Sequence, residues 1–220
     1  MDASDPTDAA SETPVGNEPA DGEPAGSDTV SSEPALPAFV DWDAYDAVVY
    51  DLDGTLVDLQ VDWNQVATDV IGVYEDAAID PPGDGLWELL ESASEHGLEA
   101  DVEAAIASHE RAGAEASDRL ALADALQPTH ADRTAVCSLN CEAACRIALS
   151  THGVADGVSA VVGRDSVATH KPDPEPLLAA VRALDAEPER ALFVGDSERD
   201  AVTAERAGVA FQWVDGDPDA

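Results

Sequence analysis

Five short apolar runs constrain this chain more than any other feature: Ala47–Leu52, Thr134–Leu139, Ser159–Gly163, Ala191–Gly195 and Val209–Val214. Each is five or six residues long and rich in Val, Ala, Phe and Leu. Runs this short, without polar alternation, suit strands covered on both faces, the usual condition of a parallel sheet. Helical stretches lie between the later runs: Cys141–Thr151, Pro174–Leu184 and Arg199–Ala207. Strand and helix in alternation predict a βαβ series and an α/β fold. The spacing is uneven, for roughly 80 residues separate the first run from the second. They read as helices over Trp63–Ala78, Gly85–His96 and Asp101 to about Ala125, with Pro81-Pro82-Gly83 breaking the first from the second. Val66, Val70, Val73 and Ala77 recur at helical spacing. A helical insert placed straight after the first strand sits over the carboxyl edge of the sheet, where open α/β sheets take their ligands.

Charge restricts the partners. The 220 residues carry 47 acids against 10 bases, a formal net charge of −37, and nine of the ten bases are Arg, with Lys171 the single Lys. That field repels nucleic acid and anionic membranes, so neither is an expected partner. It also strains the compact state at low salt and is screened in concentrated salt. A cytoplasmic protein of an extreme halophile, haloarchaeal in origin, is the expectation. No apolar run approaches a membrane span. Residues 1–36 hold nine acids, no base and no aromatic residue. Such a segment cannot bury enough apolar area to offset its entropy and is expected to be a disordered acidic tail. The opening residues show no basic and apolar leader pattern. Cys137, Cys141 and Cys145 are expected to be small buried hydrophobes rather than a metal cluster.

The chemistry follows the strands. The first run continues into Asp51-Leu-Asp-Gly-Thr-Leu-Val-Asp58. Asp51 and Asp53 are two residues apart and point to one side of an extended segment. Such a pair is either a solvated turn or a carboxylate pair whose repulsion a cation offsets. The second run ends at Ser138, with Asn140 two residues on; Lys171 in Lys171-Pro-Asp-Pro follows the third; the fourth ends in Gly195-Asp196-Ser-Glu-Arg-Asp200. Carboxylates, a hydroxyl and an ammonium therefore converge on one edge of one sheet.

These motifs resemble those of haloacid dehalogenase (HAD) superfamily hydrolases of the phosphoglycolate-phosphatase-like kind, over roughly Ala47 to Val214. The resemblance implies a Rossmann-like core, residues 37–58 and 126–220, with a helical cap at residues 59–125. It implies that Asp51 is the nucleophile, forming an aspartyl-phosphate. Asp53 is implied to protonate the leaving oxygen and then activate water. Ser138 and Lys171 are implied to bind the substrate phosphate, and Lys171 also to bridge it to Asp51. Mg²⁺ is implied as cofactor, held by Asp51, the backbone carbonyl of Asp53, and Asp196, with Asp200 orienting the site from behind. Phosphatases of this kind often carry Asn directly after the Ser138 position; here Leu139 intervenes, and Asn140 is expected to serve as the N-cap of the following helix.

The reaction so implied is hydrolysis of a small phosphorylated metabolite. A phosphomutase of the same fold stays open, as does a non-catalytic phosphate-binding protein. Asp53 argues against a C–Cl dehalogenase, which lacks the second Asp. The absence of Lys from residues 59–125 excludes a phosphonatase that forms a Schiff base there. His170 is expected to be a loop position, and Trp63, Trp87 and Tyr74 mostly core. The sequence leaves the oligomeric state open.

Overall fold

A computed structural model describes Asp41 and residues 43–214. The acidic segment 1–36 lies outside these described residues. Along the chain the strands are β1 (Ala47–Tyr50), β2 (Val57–Asp58), β3 (Asp118–Arg119), β4 (Thr134–Cys137), β5 (Ala160–Val162), β6 (Ala191–Gly195) and β7 (Ala210–Trp213). The helices are α1 (Trp63–Asp76), α2 (Leu86–Ser92), α3 (Glu99–Glu115), α4 (Glu142–Thr151), α5 (Glu175–Ala183) and α6 (Glu198–Ala207).

Five strands form one parallel sheet in the order β5-β4-β1-β6-β7. All five apolar runs are its strands, each trimmed by at most two residues at either end. Side-chain alternation divides the core. Val48, Tyr50, Val136 and Val194 face one way, against Cys145, Ala148 and Leu149 of α4. Val49, Ala135, Cys137 and Phe193 face the other, against Leu177, Ala180 and Val181 of α5 and Ala204 of α6. Both faces are covered, which is why the strands read as unbroken apolar runs.

The register places the chemistry. Tyr50 pairs with Val136 on one side and Val194 on the other. The residues just beyond these therefore emerge together: Asp51, Ser138 and Asp196.

Helices α1–α3 lie between β2 and β3, which pair antiparallel as a two-residue ribbon. Val66, Val70 and Tyr74 of α1, Leu89 of α2 and Val102 and Ile106 of α3 form a cluster of their own. Farther along, α3 lends Ala107 and Ala114 to the cluster that includes α4.

The expected helix from Asp101 to about Ala125 is corrected: α3 stops at Glu115, and residues 121–125 form a short 3₁₀ helix. Just past that end, Ser117 Oγ donates to the Ala114 carbonyl at 2.8 Å, a local bond of the kind that competes with the helical ladder. The ribbon strands are two residues each, too short to leave a periodic signal. Gly85–His96 resolves into α2 and a 3₁₀ turn over Ala93–His96. Tyr74 is core, its hydroxyl donating to the Leu89 carbonyl at 2.6 Å. Trp63 is not core: it is 42% exposed, at the first turn of α1, where the helix borders the cleft described below. All three cysteines are free and buried, and burial pushes the Cys137 thiol up to about 12.

Candidate active site

Asp51 is the first residue beyond β1, and only 7% exposed. Lys171 is buried beneath the same edge and donates from Nζ to Asp51 Oδ1 at 2.9 Å, Asp200 Oδ1 at 2.5 Å and the Cys137 carbonyl at 3.2 Å. Those three acceptors use every hydrogen of the ammonium. Burial works against the Lys171 charge, but the Asp51 and Asp200 carboxylates outweigh it and hold its pKa above the ordinary value. Burial pushes the Asp51 carboxyl up to about 7; Lys171 pulls it down, while Asp200 adds to the rise.

Asp200 has a second task. Ser197 caps α6 by accepting from the Asp200 N–H, and Ser197 Oγ and N–H both donate to Asp200 Oδ2, at 2.6 and 3.3 Å. One oxygen is held by the helix cap and the other by Lys171. Asp200 therefore holds the Lys171 ammonium on the side away from the helix cap.

Asp53 lies where the chain turns on Gly54. Its Oδ1 accepts the Leu59 N–H at 2.8 Å, leaving Oδ2 to carry a proton. Burial raises its pKa, with the Leu59 bond opposing the rise. Asp196, just past β6, accepts from Thr55 Oγ1 at 3.3 Å. Its pKa is raised by burial and then by Asp200.

The donor set fits a hard divalent cation. Oxygens of Asp51, Asp196 and Asp200 lie within 4.8 Å of one another. Asp51, Asp53 and Asp196 are all held above their ordinary pKa values. Carboxylates that resist ionisation in one another's company are the surroundings in which a bound cation lowers the free energy most. Asp200 is the most heavily engaged of the three, so Asp51 and Asp196 are the better ligands.

Gly54 makes the turn possible. Its φ is +79°, and a Cβ there would lie 2.2 Å from Asp196 Oδ2. Gly54→Ala is expected to cost about 1–2 kcal/mol of stability from the left-handed backbone alone. By displacing Asp196 it is expected to lower kcat on the order of 10²-fold. Melting curves and steady-state kinetics check this, and a kcat within a few-fold of the parent would refute the role of the close approach.

Ser138 is buried, and its hydroxyl donates to Asn140 Oδ1 at 3.0 Å while accepting the Asn140 N–H at 3.2 Å. Asn140 is not the N-cap expected of it. Cys141 occupies that position, and carboxylates from elsewhere bind the free N–H groups of α4. Glu110 Oε2 accepts from Cys141 N at 2.9 Å, and Asp165 Oδ1 accepts from Glu142 N at 2.7 Å. The Asn140 amide instead donates to Glu110 Oε1 at 3.5 Å.

Glu110 and Arg164 were not singled out in the sequence. Glu110 of α3 is buried, and Arg164 meets it with two hydrogen bonds, at 2.5 and 3.0 Å. Arg164 also donates twice to Glu103, at 2.7 and 3.0 Å, and to the Leu139 carbonyl at 2.7 Å. Burial works against the Arg164 charge, but Glu103 and Glu110 overcome it and keep it firmly protonated. The signal for Arg164 was available, since it follows β5 as Ser138 follows β4 and Asp196 follows β6. Glu110 had none, being one of many acids on a helix.

Above these groups lies a cleft of about 410 Å³, floored by Asp51, Asp53, Ser138 and Asp196. Trp63, Leu86, Trp87 and Leu90, from α1 and α2, supply an apolar side. His170, expected as a loop position, packs its ring on Trp87, with centroids 5.4 Å apart.

A profile of haloacid dehalogenase-like hydrolases matches residues 48–214. The phosphoglycolate phosphatase of Rhodospirillum rubrum is 37% identical over 185 residues, which cover 74% of this chain and 76% of that one. The phosphoglycolate phosphatase of Cereibacter sphaeroides (strain ATCC 17025) is 47% identical over 89 residues, 40% of each chain. Among solved structures, CbbY of Rhodobacter sphaeroides in complex with phosphate shares the fold at a TM-score of 0.54 and 22% identity, covering 77% of this chain and 85% of that one.

Proposed function

Because the chain belongs to the haloacid dehalogenase-like hydrolase family, we propose that it is a Mg²⁺-dependent phosphatase that cleaves a small phosphorylated metabolite through an aspartyl-phosphate. Its phosphatase relatives support the reaction class. The observation that carries the mechanism is the Lys171 ammonium clamped between Asp51 and Asp200, with Asp53 two residues from Asp51.

On this reading Asp51 attacks phosphorus with a carboxylate oxygen, forming the P–O bond of an acyl phosphate while the bond to the leaving oxygen breaks. Asp53, whose raised pKa lets it hold a proton, gives that proton to the leaving oxygen. It then takes one from the water that hydrolyses the acyl phosphate, and Asp51 is regenerated. Lys171 keeps Asp51 in line and offers positive charge to a phosphoryl oxygen. Ser138 donates to another phosphoryl oxygen once its hydroxyl leaves Asn140 Oδ1. Asp51, Asp196 and the Asp53 carbonyl would hold Mg²⁺, which when bound neutralises charge on the phosphoryl group. Helices α1–α3, the residue 59–125 region, act as the cap and make the cleft's apolar side. Phosphoglycolate, the substrate named for the Rhodospirillum relative, is the first candidate substrate.

The test is hydrolysis of p-nitrophenyl phosphate in high KCl. Activity is expected to vanish with chelator and return with Mg²⁺; activity indifferent to chelation would overturn the metal assignment. The halophilic, cytoplasmic setting rests on the net charge of −37. Among the described residues no helix is long and apolar enough to cross a membrane. If salt screening is what holds so acidic a chain together, the unfolding midpoint rises steeply with KCl between about 0.1 and 1 M, where the Debye length falls from about 10 to 3 Å. A midpoint flat across that range would contradict the halophilic reading.

A further inference from the structure

We infer that Arg199 is the specificity-determining residue of the cleft, binding a second anionic group on the substrate a few bonds from the phosphate ester; this rests on the phosphatase reading above. The inference begins with charge. The cleft is lined by Asp51, Asp53, Glu110 and Asp196, and an anionic substrate entering it needs cations in return. Lys171 serves the reacting end. Among the described residues two guanidiniums line the cleft, Arg164 and Arg199.

They differ in what they have left to give. A guanidinium has five N–H donors. Arg164 makes five hydrogen bonds, to Glu103, Glu110 and the Leu139 carbonyl, and is saturated. Arg199 makes no side-chain hydrogen bond or ion pair to any described residue. Its guanidinium lies over the Trp87 ring, 4.5 Å from the centroid. This cation–π contact engages none of the oxygen acceptors the N–H donors would seek, so the donors remain for another group. In a chain with 47 acids and 10 bases, a half-buried Arg at a cleft with its donors unspent is unusual company for so many carboxylates.

The placement is built rather than incidental. Arg199 lies between the cap pair Ser197 and Asp200 at the start of α6, so its backbone is fixed by the same bonds that fix Lys171. Trp87 also packs against the His170 ring, with centroids 5.4 Å apart. A planar cation fixed on an aromatic plate suits an oxyanion, a carboxylate or a second phosphate, which it can bind through two parallel hydrogen bonds. The substrate class that fits is a small phosphate monoester with a second oxyanion.

The experiment compares kcat/KM for three esters of similar size at one fixed salt and Mg²⁺ concentration: phosphoglycolate, 2-hydroxyethyl phosphate and phosphoethanolamine. The parent should prefer phosphoglycolate over the neutral ester. Arg199→Ala should reduce that preference about 10- to 100-fold, the worth of a charge-assisted hydrogen-bond pair. Arg199→Lys should restore part of it, and Arg199→Glu should shift preference toward the cationic ester. If Arg199 only pins Trp87, Ala substitution lowers all three alike and the preference stays unchanged, which overturns the inference. Failure of the phosphatase reading looks different: the parent then turns over none of the esters. In that event the thermal shift of Asp51→Asn protein by phosphoglycolate and by 2-hydroxyethyl phosphate decides. The inference stands if adding Arg199→Ala weakens only the first, and falls if it weakens both or neither.

Discussion

Asp51→Asn is expected to lower kcat by on the order of 10⁴–10⁶-fold, the scale on which losing a nucleophile acts. The same substitution should leave the fold intact, and the electrostatics say why. Burial holds the Asp51 carboxyl up to about 7 in the folded protein, against about 3.9 in an unfolded chain. Between those values the folded state binds the extra proton, so its stability is greatest at low pH and falls as pH rises toward 7. The metal-free parent should therefore lose melting temperature between about pH 4 and 7, and Asn, which does not ionise, should lose less. Mg²⁺ should raise the parent's melting temperature, because it binds the folded state. It should raise that of the Asn variant less, with one carboxylate gone. Equal pH slopes, or near-parental turnover by the variant, would each refute the assignment.

Lys171→Met is expected to cost about 3–5 kcal/mol in folding free energy, because it strands two buried carboxylates without their counter-charge. Urea unfolding of the metal-free variant measures this. Lys171→Arg keeps the charge yet is expected to lower kcat at least about 10²-fold. The reason is shape. One ammonium reaches Asp51, Asp200 and the Cys137 carbonyl with its three hydrogens. A planar guanidinium in the same buried space cannot meet those three acceptors without moving Asp51. A Met variant as stable as the parent, or an Arg variant with parental kcat, would remove this account of the clamp.

The sheet was legible because burial on both faces writes the same message into every strand. Asp51, Ser138 and Asp196 could be placed together because parallel register brings strand ends into line. The place of Asp200 came from the resemblance alone; in the structure it stands on the first turn of α6, where it accepts from Lys171 and from Ser197. Other parts were illegible for definite reasons. Nothing local marks Glu110, which acquires its role only when α3 crosses α4 and meets Arg164 and Cys141. The end of α3 was overrun because apolar and small residues continue past Glu115 with no glycine or proline to mark the stop, so helical periodicity runs on. Asn140 was assigned to a cap by proximity alone, while Glu110 and Asp165 take the N–H groups at that helix end.

Helix α3 has a bearing on how the molecule comes apart. Its first half belongs to the apolar cluster of α1 and α2, and its second half packs with α4 and the sheet. One rigid rod is thus common property of the roof over the cleft and the floor beneath it, riveted midway by Arg164 on Glu110. Melting that rod as a whole exposes apolar surface in both clusters. Heating should accordingly give a single cooperative transition, with amides of α1 and of β1 exchanging through one shared opening. Residues 59–125 expressed alone should not fold.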